Sequence, residues 1–123
     1  MTTSSLSERR ILVVEDEYYL ANELADGLMG EGAAVVGPVA NVSAAFSLIE
    51  AEPELHGAIL DVNLGGEYVF SLADSLIDRG VPLIFTTGYD RAALPTRYGK
   101  VPTCEKPVSL HRILAALREV VSH

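Results

Sequence analysis

Short apolar runs alternate with longer stretches in which apolar residues recur every three or four positions, and this alternation continues along the chain. Ile11 to Val14 is a β-branched run of the kind buried on both faces of a parallel sheet. Leu20, Leu24 and Leu28, with Ala21 and Ala25 beside them, form a helical stripe that Gly30 and Gly32 stop. Ala33 to Val36 predicts a second strand, closed by Gly37 and Pro38. Val42, Ala45, Phe46 and Ile49 then mark one helix face, ended by Pro53.

Ala58 to Val62 is the third strand, and Asp61 interrupts its apolar run just before the glycine-rich turn at Gly65 and Gly66. Val69, Leu72, Ala73 and Leu76 predict another helix, stopped by Gly80, and Val81 to Thr87 a fourth strand with Pro82 near its start. From Gly88 to Gly99 the pattern weakens. Arg91 to Leu94 can start a helix but Pro95 interrupts it, which predicts a short, mobile element. Val101 to Glu105 is a fifth, weaker strand. The last helix carries the stripe Leu110, Ile113, Leu114, Leu117, Val120 and Val121, with Ser109 as its N-cap.

Five βα units in series predict an α/β fold, a five-stranded parallel sheet with helices on both faces. Right-handed crossovers leave the flavodoxin-like strand order 2-1-3-4-5 as the natural arrangement. Residues 1–10 read as a flexible polar N-terminal tail and residues 11–122 as one domain.

Composition narrows the function classes. Hydrophobic residues make up 49% of the 123, which suits a folded core. No apolar run reaches the roughly 20 residues needed to span a bilayer, and the N-terminus lacks the apolar core of a signal peptide. A cytoplasmic location is expected, with Cys104 unable to form an internal disulfide. The formal net charge of −8 argues against nucleic-acid binding, which needs basic surfaces to neutralise phosphates. It is also compatible with acids gathered to hold a divalent cation.

Four strand ends carry polar groups: Glu15 and Asp16 after the first strand, Asp61 at the third, Thr87 at the fourth and Lys106 after the fifth. The second strand, outermost in the expected order, carries none. Crowded carboxylates suit a hard cation with oxygen ligands, Mg²⁺ first and Mn²⁺ as the alternative. Asp16 and Asp61 are the expected direct ligands, Glu15 acts through water, and the backbone carbonyl of Asn63 adds a ligand from the turn. An Asp beside such a cation, with a lysine and a threonine hydroxyl at hand, can attack phosphorus and become an aspartyl phosphate. Lys106 and Thr87 then address the oxygens of the transferring group. Thr87, last before the glycine, is preferred over Thr86 because strand alternation turns only one of them the right way.

These residues, Glu15-Asp16-Glu17, Leu60-Asp61-Val62-Asn63, Thr87-Gly88 and Lys106-Pro107, resemble the receiver domain of two-component response regulators. The resemblance runs in order and spacing from about Arg10 to Ser122. It implies transfer of a phosphoryl group from a histidine kinase or histidine phosphotransfer protein to Asp61, and a shift of the Thr87 hydroxyl as the switch. It implies output through a downstream protein or a homodimer, or service as a phosphate sink, with self-hydrolysis in place of enzymatic turnover. Glu15 stands where Asp is usual, Gly65 where many receivers have proline, and Thr103 where the switch aromatic lies. The run Phe85-Thr86-Thr87-Gly88-Tyr89 is similar to a receiver subgroup with an aromatic after the fourth strand, which makes Tyr89 the expected switch, with Asn63 and Tyr89 tuning phosphoryl lifetime.

Two other classes compete. A Mg²⁺-dependent phosphatase working through an aspartyl intermediate wants a second acid near the nucleophile, and Asn63 cannot serve. A flavodoxin-like cofactor binder wants phosphate-cradling groups after the first strand, where the three acids Glu15, Asp16 and Glu17 stand instead. A pseudo-receiver scaffold that is never phosphorylated is the remaining alternative.

Overall fold

The apolar runs become strands because β-branched side chains fill both faces of the sheet, and the i, i+3, i+4 stripes become the helices that cover it. In the computed structural model, which describes residues 4–52, 54–88 and 94–122, the elements follow the expected order. They are β1 (Arg10–Val14), α1 (Tyr18–Gly30), β2 (Ala34–Val39), α2 (Val42–Ala51), β3 (Gly57–Asp61), β4 (Asn63–Leu64) and β5 (Glu67–Tyr68). Then come α3 (Phe70–Asp78), β6 (Leu83–Thr87), a 3₁₀ turn (Thr96–Tyr98), β7 (Thr103–Glu105) and α4 (Leu110–Val121).

The main sheet is parallel with order β2-β1-β3-β6-β7. Counted without the β4–β5 hairpin this is the expected 2-1-3-4-5. Strand alternation splits the core in two. Ile11, Val13, Ile59 and Ile84 face α1 and α4, packing with Leu24, Leu28, Ile113 and Leu117. Leu12, Val14, Leu60 and Phe85 face α2 and α3, packing with Val42, Ile49, Leu72 and Leu76. At Gly57 a Cβ would lie 2.9 Å from Val121 Cγ2 and 3.1 Å from Ile11 Cδ1, so a glycine lets α4 close on the start of β3. Ser109 caps α4 by accepting from the Arg112 N–H, as its position predicts.

The structure departs from the sequence pattern in three places, and a fourth expectation falls partly outside the described residues. Residues 4–10 are anchored by one buried side chain, where a flexible tail was expected. Leu6 is fully buried with Leu24 and Leu28, Ser4 Oγ donates to Glu31 Oε1 at 2.9 Å, and Arg10 already belongs to β1. One apolar side chain in a polar segment is too weak a periodic signal to show this. The strand β2 runs on through Gly37 and Pro38 to Val39, whose carbonyl accepts from the Glu15 N–H. The turn after Asp61 is a hairpin, pairing Asn63 with Tyr68 and Leu64 with Glu67. Between β6 and β7 the described residues hold only the 3₁₀ turn, and the Arg91–Ala93 part of the expected helix start lies outside them. No helix among the described residues is long and apolar enough to cross a membrane.

Candidate functional site

Three strand ends meet at the carboxyl edge of the sheet because β1, β3 and β6 are neighbours and end in register. Val14 pairs with Leu60, and Asp61 with Thr86. The last residue of β3, Asp61, is therefore held between the Glu15 that follows β1 and the threonine pair that ends β6. Asp61, Glu15, Thr86 and Thr87 are all buried.

The hairpin fixes one side of Asp61. Its Oδ1 accepts from the Asn63 backbone N–H at 3.2 Å, and Asn63 Oδ1 accepts from the Gly66 N–H at 2.7 Å. Gly65 and Gly66 both have positive φ, the left-handed backbone that glycine adopts without strain. A Cβ on Gly65 would be 3.7 Å from Asp16 Oδ2, so this turn and Asp16 border the same space.

Lys106 fixes the other side. It follows β7 at the sheet edge and reaches inward, its Nζ 3.0 Å from Asp61 Oδ2, 3.3 Å from Glu15 Oε2 and 2.9 Å from Glu17 Oε2. Glu15 Oε2 also accepts from the Glu17 N–H at 3.0 Å. Oxygens of Glu15, Asp16 and Asp61 lie within 4.8 Å of one another.

Burial dominates the electrostatics. It pushes the Glu15 carboxyl up to about 8, with Asp61 adding to the rise and Lys106 opposing it. Asp61 is also raised by burial, while neighbouring Glu15 and Lys106 favour its charged form. The Lys106 ammonium is held charged, its hydrogen bonds to Glu17 and Asp61 outweighing the desolvation that acts against it.

The donor set fits a hard divalent cation. Glu15 Oε1 is buried with no hydrogen-bond partner among the described residues, and three carboxylates share one ammonium, so a cation would complete what the side chains leave unsatisfied. An open cleft of about 510 Å³, lined by Glu17, Leu20, Lys106, Pro107 and Val108 among others, leads to Lys106 from solvent.

The structure thus brings together Glu15, Asp16, Asp61, Asn63 and Lys106, with Thr87 at the end of the adjacent strand. Thr103 sits away from them, half-buried on the edge strand, where its Oγ1 donates to the Val101 carbonyl. Tyr89 lies outside the described residues. Sequence reasoning passed over one side chain and gave a second no role. Glu17 contacts Lys106, a signal available only as one more acid at a strand end. Thr86, set aside in favour of Thr87, has a buried Oγ1 with no hydrogen-bond partner among the described residues.

No protein-family model matches the chain, and no curated protein matches it. Solved structures do. SdrG from Sphingomonas melonis Fr1 is 36% identical, with 92% of this chain and 97% of that one covered and a TM-score of 0.75. A structure of the BeF3-activated conformation of SdrG from Pseudomonas melonis Fr1 is 33% identical, covering 89% of this chain and 96% of that one, TM-score 0.72. A Burkholderia pseudomallei response regulator, solved with a phosphorylated aspartic acid, calcium ion and citrate, is 30% identical over 93% of this chain and 69% of that one, TM-score 0.78.

The chain belongs to the response-regulator receiver family. This receiver is accordingly a signalling domain of the two-component class, and its sheet order and the helices on both faces are those of the family's flavodoxin-like fold.

Proposed function

We propose that this receiver accepts a phosphoryl group on Asp61 from the phosphohistidine of a histidine kinase or histidine phosphotransfer protein. One observation carries the reading: a buried carboxylate has one oxygen held by a backbone amide and the other by Lys106, beside two further acids. An Asp61 oxygen forms a bond to phosphorus as the N–P bond of the donor breaks, and the departing nitrogen keeps the electron pair.

Asp16, Asp61 and the Asn63 carbonyl would hold Mg²⁺, or Mn²⁺ in its place, with Glu15 acting through water. Bound there, the cation neutralises charge on the phosphoryl oxygens. Lys106 supplies a second positive charge to those oxygens, and Thr87, at the end of the neighbouring strand, supplies a hydroxyl. The phosphorylated aspartic acid and calcium ion of the Burkholderia regulator support the same chemistry here. Asn63 cannot act as an acid, and its side-chain oxygen is engaged by Gly66. A turnover phosphatase is therefore the weaker reading, and the output of the domain is a partner that reads its state or the withdrawal of phosphoryl groups from a relay.

Incubation with Mg²⁺ and acetyl phosphate should add the mass of one phosphoryl group to the intact wild-type chain and none to Asp61→Asn. Chelating the metal should suppress the addition. A chain that gains no mass from acetyl phosphate or from a phosphorylated kinase is a scaffold, and the phosphoacceptor reading is then wrong.

A further inference from the structure

Glu17 stands at the N-cap position of α1, where an acidic side chain ordinarily accepts from the first backbone amides of the helix. Here it caps nothing, and its carboxylate reaches to Lys106 instead, at 2.9 Å the shortest of the three contacts Lys106 makes. A lysine ammonium has three N–H donors. Asp61, Glu15 and Glu17 occupy all three.

We propose that Glu17 is a positioning residue that holds the third donor of Lys106 at the mouth of the site, in competition with the incoming phosphoryl group. This inference rests on the phosphoacceptor reading of Asp61. An oxygen of the transferring group can be bonded by Lys106 only when one carboxylate gives up its donor. The side chains of Asp61 and Glu15 are 4% and 1% exposed, so neither can turn to water. That of Glu17 is 62% exposed and can. An exposed ion pair of this type contributes about 0–1 kcal/mol, strong enough to bias Lys106 and weak enough to be displaced. Glu17 and Lys106 also line one cleft open to solvent, so their contact is reached from outside the fold.

The experiment uses the full chain with saturating Mg²⁺ and acetyl phosphate, following intact mass with time in the wild type, Glu17→Gln and Glu17→Asp. Asp keeps the charge but is one methylene too short to hold Nζ in place. Both variants should take up the phosphoryl group faster, by about two- to fivefold. The Lys106 side-chain NMR signals of the unphosphorylated protein should move in both. A wild-type rate in Glu17→Gln overturns the inference. So does a wild-type rate in Glu17→Asp, which would reduce the effect to net charge, or a Lys106 signal that stays put in both variants. Uptake by none of the three proteins overturns the phosphoacceptor reading, and the competition with it, even where the Lys106 signal moves.

Discussion

Two clusters in this molecule set carboxylates against a cation, and they are built on opposite terms. At the sheet edge, Glu15, Glu17 and Asp61 gather around one ammonium, that of Lys106, with Asp16 beside Glu15 and Asp61. On α3, Asp74 faces Arg97 in a bidentate pair at 3.2 and 3.1 Å, and the Tyr98 hydroxyl joins it at 2.5 Å. The first cluster sets buried Glu15 and Asp61 beside exposed Asp16 and Glu17 and has more carboxyl groups than its one ammonium can pair; the second is balanced and open to solvent at its charged end. Protonation follows that difference. Burial raises Glu15 and Asp61, whereas the Arg97 guanidinium holds Asp74 below the usual carboxylate range. A group whose ionisation is resisted by the fold costs stability at neutral pH, so the first cluster works against the fold, whereas the exposed Asp74–Arg97 pair adds a little to it.

Beneath the balanced cluster lies an aromatic block, and its removal should have the largest effect. Phe70 stacks on Tyr98 at 5.4 Å between ring centroids, and Phe85 meets Tyr98 edge-on at 5.2 Å. Phe85 is fully buried on β6, two residues before Thr87. Phe85→Ala should cost about 3–5 kcal/mol, measured by urea unfolding. A loss under about 1 kcal/mol would mean that the block contributes little, and the contrast between the two clusters would lose its structural half.

The acidic cluster should respond with the opposite sign. Replacing Asp61 by Asn removes one negative charge from a buried, charge-rich site while keeping nearly the same volume. Asp61→Asn should therefore stabilise the protein by about 1 kcal/mol at pH 7 in the absence of metal. Asp74→Asn should destabilise it by less than about 1 kcal/mol, as expected for an exposed pair. Equal losses from both substitutions would break the comparison.

The framework of the acidic site was legible because a parallel sheet turns one-dimensional order into position. Each apolar run ends at the same edge, so Glu15, Asp61, Thr87 and Lys106 could be assigned to it from the ends of their runs alone. What the runs could not show is how side chains with long reach divide among partners. The contact of Glu17 with Lys106 spans 89 residues of sequence and leaves no periodic trace. The β4–β5 hairpin was hidden for a different reason: its strands have two residues each, too short for alternation to register, although the Gly65–Gly66 pair marked the turn. Tyr98 was equally silent, since a lone tyrosine beside Gly99 and between Pro95 and Pro102 gives no burial signal, yet it is 3% exposed.

Tyr98 also offers the smallest and most local test of the contrast. Burial first, and then its hydrogen bond to Asp74, push the phenol up to about 12, from an ordinary value near 10. Because the folded value is the higher, the stability this group contributes is complete below about pH 10. It is lost as the pH rises from about 10 towards 12, where the unfolded chain ionises first. Phenolate absorbance of the wild type minus that of Tyr98→Phe should show a single step at about pH 12. In Asp74→Asn the step should move down, because the carboxylate no longer disfavours the phenolate, but stay above the ordinary value because burial persists. A step that does not move would assign the whole shift to burial and remove the hydroxyl contact from the balanced cluster. A wild-type step near 10 would mean that Tyr98 is not clamped between Phe70 and Asp74 at all.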